Sequence, residues 1–228
     1  MSTRTLVGGC TLMATLAAPA AAQAAPTIMP LKPCYVTAKT KEGRQQEPMQ
    51  ITGAGFTANA SVDLTIDGQP VEGGSGLQTD QNGNLPLPPV PAPFVRRGSR
   101  EFTVTLTEVN NTVNTVSATA SSTALGVSVK PEEARPSDRI RFKGRGFTED
   151  RPIYAHYRYK GKVRKTVRMA RKPDSCGSFE VRRRQIPFRR PGLGLWKIQF
   201  DQSKEFVDPD ANPIVFVRLA IRIRLVRE

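Results

Sequence analysis

The chain has 228 residues, with 34 Lys and Arg against 20 Asp and Glu, for a net charge of +14. It holds a single histidine, His156, so any histidine-based nucleophilic mechanism would rest on that one residue. Beyond the first two dozen residues, no apolar run approaches the ~20 residues that span a bilayer.

The chain opens with Arg4, a mostly apolar run from Leu6 to Ala22 and the small-residue pattern Ala22-Gln23-Ala24. This is the layout of a secretory signal peptide, so residues 1–24 are expected to be removed on export. Cys10 follows Val7-Gly8-Gly9 near the start of the apolar run, whereas a lipoprotein site belongs after it. Cys10 is therefore read as part of the leader. The remainder is expected to be soluble and either extracellular or associated with the cell envelope.

Residues 25–228 read as one unit written twice. Gly53, Gly55 and Phe56 return 91 residues later as Gly144, Gly146 and Phe147, and the turn Asp67-Gly68 returns as Lys160-Gly161. Asp80, Gly83, Leu85 and Leu87 match Asp174, Gly177, Phe179 and Val181, while Phe102, Val104 and Leu106 match Trp196, Ile198 and Phe200. Short alternating runs such as Val62–Ile66, Phe102–Leu106 and Leu219–Leu225 lie between Gly, Pro, Asn and Asp, with no sustained helical period. The predicted fold is all-β: two tandem sandwiches, 25–122 and 123–228, divided within the Ser, Thr and Ala stretch 117–126. A strand at Val127–Pro131 should open the second.

Two motif features carry a resemblance. An opening strand and a Pro-containing turn lead into Ile/Phe-x-Gly-x-Gly-Phe, followed by a strand ending in Asp-Gly or Lys-Gly. This resembles the immunoglobulin-like IPT/TIG fold of secreted bacterial surface proteins and is similar to exported tandem modules of high-GC Gram-positive bacteria. The resemblance implies a fold rather than an activity. In the motif itself, the glycines suit positive φ or close backbone approach, and the aromatic drops onto the core.

Charge separates the halves. Residues 25–124 hold 7 Lys/Arg and 8 Asp/Glu, net −1, whereas residues 125–228 hold 26 and 12, net +14. Alternate residues of a strand face opposite sides, so Ala155, Tyr157 and Tyr159 are expected inside, with His156, Arg158 and Lys160 outside. Across the turn, Lys162, Arg164, Thr166 and Arg168 should continue that face, and Arg222 and Arg224 should point outward on the last strand. Arg182 and Arg184, with Arg183 and the turn residues Arg189 and Arg190, form a second cluster. Such a surface suits an anionic polymer, with teichoic acid or acidic polysaccharide of the envelope first, a protein partner second and nucleic acid disfavoured by export. Its bland counterpart is a solvated surface or a charged edge strand.

Catalytic and cofactor signatures are otherwise weak. His156 falls on an outward position among like charges, and Glu132-Glu133 and Asp208-Pro209-Asp210 sit in turns without an apolar pocket. Asp208, Asp210 and Asn212 alternate like a calcium loop, but Pro213 and Leu219 stand where an EF-hand needs Gly and Glu. No enzyme activity, cofactor or metal is expected. Nor does a wall-sorting signal or apolar tail follow the last strand, so retention at the wall would be non-covalent. Cys34 and Cys176 are a candidate disulfide in an oxidising compartment: end-to-end domains would place them at distant poles, too far to bridge, whereas domains folded back side by side would allow the bond. Trp196, matching Phe102, is expected in the core.

Overall fold

The computed structural model describes residues 25–40, 43–207 and 219–225. The proposed leader, 1–24, and the alternating oxygens of Asp208–Asn212 lie outside them. The first half contains β1 (Thr27–Ile28), β2 (Cys34–Thr40), β3 (Gly43–Gln46), β4 (Pro48–Met49), β5 (Thr52–Ala54) and β6 (Ser61–Ile66). It continues with β7 (Gln69–Pro70), β8 (Leu77–Gln78), β9 (Leu85–Pro86), β10 (Val90–Pro91), β11 (Ser99–Glu108) and β12 (Asn111–Ala124). The second half comprises β13 (Gly126–Lys130), β14 (Arg139–Arg145), β15 (Ile153–Tyr159), β16 (Lys162–Ala170), β17 (Phe179–Arg184), β18 (Gly194–Asp201) and β19 (Leu219–Leu225).

The fold is all-β, two β-sandwiches in tandem. In the first, the sheet β3-β2-β12-β11-β6-β7 faces the small sheets β1-β5-β9 and β10-β4. In the second, β13-β14-β17 faces β16-β15-β18-β19. Among the described residues no helix is long and apolar enough to cross a membrane. Each sandwich closes over its own core. Phe56, Leu64, Phe102 and Leu106 fill the first, and Phe142, Phe147, Tyr157, Trp196 and Phe200 the second. Each such side chain contributes ~1.5–3 kcal/mol on burial.

The duplication extends to backbone geometry. Asp67 and Gly68 have φ of 52° and 73°, and their counterparts Lys160 and Gly161 have 50° and 76°. These are the two consecutive left-handed residues of a tight hairpin, which Asp-Gly suits and Lys-Gly obeys at some cost. The amide of Phe56 donates to the carbonyl of Gly83 at 3.1 Å, and that of Phe147 to Gly177 at 3.3 Å. At both Gly83 and Gly177, which have positive φ, an added Cβ would overlap the backbone of that same phenylalanine. Gly83 and Gly177 thus permit two chain segments to touch. Trp196 is buried as expected; its Nε1 donates to the Gly192 carbonyl at 2.9 Å, and it stacks on Tyr159 at 4.8 Å.

At the junction one expectation fails and one open question is answered. The stretch 117–126 was expected as a linker, but most of it is the end of β12, paired with β11 through Thr123↔Ser99. Leu125 alone separates β12 from β13. The two cysteines are also bonded: Cys34 and Cys176 form a disulfide with Cα atoms 5.1 Å apart. The reason is the parallel pairing of β2 with β12, which sets Cys34 opposite Ser121, four residues from the junction. The start of β2 therefore lies at the near pole. Cys176 arrives from the other side, where its carbonyl accepts from Gly146. Lys32 adds a polar tie, donating to Glu47 at 2.7 Å and to Thr148 of the second sandwich at 2.9 Å.

Candidate anion-binding surface

The cationic residues follow from strand alternation in the second sandwich. Along β14, Ile140, Phe142 and Gly144 are buried, while Arg139, Arg141 and Lys143 are exposed between them. The register sets Lys130 opposite Arg141 on one side and Arg182 opposite Arg141 on the other. Arg139 faces Arg184 in the same way. Like charges directly opposite one another destabilise a sheet. Here the carboxylate of Glu180 meets Arg141 at 3.2 Å and Lys143 at 3.9 Å. Of these residues the sequence reading named only Arg182 and Arg184. The missed signal was the period-two run Arg139-Ile-Arg-Phe-Lys-Gly-Arg145, which was read for its glycines alone.

The opposite face of the sandwich carries the other predicted residues. Lys160, Lys162, Arg164 and Arg168 are exposed, and Arg158 is half-buried with its guanidinium 4.6 Å from the ring of Phe206. On β19 Arg224 is exposed, and Arg222 occupies the register position opposite Lys197. Alternation along β16 is broken by a bulge between Tyr157 and Arg158: Tyr157 pairs with Lys165, but Arg158 pairs with Val163. The extra residue is Arg164, and beyond it Lys162 falls opposite the inward Tyr159 rather than the outward Lys160. Lys162 therefore does not continue the row of Thr166 and Arg168. The ten predicted residues are not brought together on one surface. Arg182 and Arg184 lie on one sheet, and the remainder on the other.

His156 is a further correction. It occupies the predicted outward register, opposite Thr166 and Gln199, yet it is 0% exposed. The segment after β18 folds back over this part of the sheet and covers it. Phe206 sets its ring against His156 at 5.7 Å, and Val207 accepts from Gln199 at 3.1 Å. Two acceptors, Asp201 Oδ1 and the Ser203 carbonyl, each lie 3.1 Å from His156 Nε2, so that nitrogen bears the proton. On the other side of the ring, Nδ1 lies 2.9 Å from the Thr166 hydroxyl.

Hydroxyl, imidazole and carboxylate are thus aligned, but the arrangement has the properties of a clasp. Its imidazole is sealed, and the Asp201 oxygens also accept from the Gln199 side chain and the Ser203 amide. Burial by itself raises the Asp201 pKa. The hydrogen bonds from His156, Gln199 and Ser203 outweigh it and hold the carboxyl below its ordinary value. The network ties β15, β16 and β18 to the segment that covers them. Among the described residues no cluster of three His, Cys, Asp or Glu side chains could hold a metal.

A shallow cavity of about 400 Å³ opens beside the Lys160-Gly161 turn, between Arg158, Tyr159, Lys160 and Lys197 on one side and Leu193 and Leu195 on the other. It offers cations next to an aromatic ring and two exposed leucines.

Comparison with known proteins adds little to this geometry. No protein-family model and no curated protein matches the chain. Among solved structures the chain is similar to bovine butyrophilin, at 11% sequence identity and a TM-score of 0.30, over 90% of this chain and 100% of that one.

Proposed function

We propose that the protein is an exported, non-catalytic binding module whose second sandwich associates with anionic polymer of the cell envelope. The observation that carries this reading is the cross-strand ladder Lys130–Arg141–Arg182, with Arg139–Arg184 beside it. Each like-charged pair costs the sheet a few tenths of a kcal/mol or more, a cost that an anionic ligand bound across the strands would reverse. Phosphate, carboxylate and sulfate would each be attracted, through many weak contacts that weaken with salt. Export is inferred from Arg4, the apolar run and Ala22-Gln23-Ala24, and it agrees with a disulfide, which persists in oxidising compartments.

The test is co-sedimentation of the full mature chain with purified cell envelopes across a salt series. Bound protein should fall steeply as salt rises, and the double variant Arg141→Ser, Arg182→Ser should bind several-fold more weakly. Retention that is unchanged in high salt would contradict the electrostatic reading.

A further inference from the structure

A second cationic site lies where the two sandwiches meet, built from residues of both. The loop before β11 supplies Arg96, Arg97 and Gly98, and β14 supplies Lys143 and Arg145, around a cleft of about 350 Å³ floored by Leu125 and its neighbours. Arg145 reaches across: its Nη1 lies 3.6 Å from where a side chain on Gly98 would begin. None of Arg96, Arg97 and Arg145 has a carboxylate partner within ion-pair distance among the described residues, and Lys143 has only the long contact to Glu180 at 3.9 Å.

The loop is held in place by buried groups. The Thr37 hydroxyl accepts from the Val95 amide at 3.2 Å and donates to the Val95 carbonyl at 2.9 Å, and Thr37 is fully buried. The Gly98 carbonyl accepts from the Ala124 amide at 2.9 Å, and the Thr37 carbonyl from the Leu125 amide at 2.8 Å. The same junction is fixed covalently by Cys34–Cys176. Four cations thus project around one concavity from a backbone frame that is itself fixed, so binding need order only their side chains.

We infer that this junction cleft is a phosphate-binding site, separate from the sheet faces of the proposed polymer surface. Three guanidinium groups and an ammonium supply more positive charge than one carboxylate can balance. A phosphate group presents several oxygens to the paired donors of each arginine. The phosphate could come from a phosphodiester polymer entering from the neighbouring Lys143–Arg141 row or from a free oligophosphate.

Titration calorimetry on the full mature chain with inorganic tripolyphosphate tests this. Saturable binding should weaken about tenfold or more in Arg96→Ser, Arg97→Ser and again in Arg145→Ser, since hydrogen bonds to charged groups are worth that much. It should stay within about twofold in Arg164→Ser, Arg168→Ser, which alters only the far sheet. Competition by a glycerol-phosphate oligomer would support the site with a polymer as its source, and tripolyphosphate binding without such competition would support it with a free phosphoanion as its source. No binding, equal losses in the two double variants, or equal affinity for an oligogalacturonate would overturn the site. Envelope sedimentation of the Arg141, Arg182 variant reads the polymer surface separately, so the two ideas fail independently.

Discussion

The two sandwiches share an interior and differ at the surface. Phe102, Val104 and Leu106 point into the first core, as Trp196, Ile198 and Phe200 do into the second, and both copies close the same glycine-to-phenylalanine contact. Outside, Asp63 of β6 accepts from the Gly76 amide at 2.9 Å in an exposed turn, while its counterpart His156 is sealed beneath a returning segment. Core packing tolerates little change in volume or backbone path, whereas surface positions change at small cost. Divergence between the copies is therefore concentrated at the surface, and here it is the outer faces of the second copy that turned cationic.

The sharpest way to break this comparison is to separate the two halves. Cys34→Ser with Cys176→Ser opens a link between residues 142 apart, and about 2–5 kcal/mol of stability should be lost, read as a lower urea midpoint. An unchanged midpoint would mean that the junction holds without the bond. Next come the paired glycines. Gly83→Ala and Gly177→Ala should each cost about 2–4 kcal/mol, through positive φ together with overlap on the backbone of Phe56 or Phe147. Equal costs would sharpen the equivalence of the copies, and a large inequality would break it. Gly68→Ala and Gly161→Ala, where a Cβ meets nothing, should cost only about 1 kcal/mol each.

His156 supplies the contrast. His156→Ala should cost about 2–4 kcal/mol because it removes one buried donor to Asp201 together with the ring packed against Phe206, while Asp63→Ala at the matching place should cost under about 1 kcal/mol. Acid should act on the same network. The Asp201 carboxyl has a folded pKa below its ordinary 3.8, so its stabilisation is complete above that ordinary value and is lost as pH falls through the lowered one. Urea midpoints should therefore decline more steeply below about pH 4 in the wild type than in Asp201→Asn. The smallest effect is at the surface. Arg182→Glu places a carboxylate opposite Arg141 and should raise stability by about 0.2–1 kcal/mol while weakening envelope binding. Loss of stability there would remove the argument from like-charge strain.

The fold and its duplication were legible because glycine, aromatic and alternation signals are local, and both copies state them. The candidate surface was only partly legible. Arg182 and Arg184 were found as a dense run, but the β14 row was hidden inside the very motif that revealed the repeat. Lys162 was misplaced because one extra residue, Arg164, inverts the facing of a strand, and nothing in composition marks a bulge. His156 was read as exposed because strand parity says which side a residue is on, not whether a later segment will lie over it. The disulfide stayed open because a parallel neighbour reverses which end of β2 meets the second sandwich, and pairing direction has no signature at that range.

The Cys34–Cys176 bond also bears on resistance to proteolysis. It encircles nearly the whole of the first sandwich and the larger part of the second's strands. A protease that clips any single exposed loop between the two cysteines would release nothing, since both pieces stay joined through sulfur. Two cuts within the ring are needed before a fragment can leave, so the protein is suited to persist in surroundings rich in such enzymes.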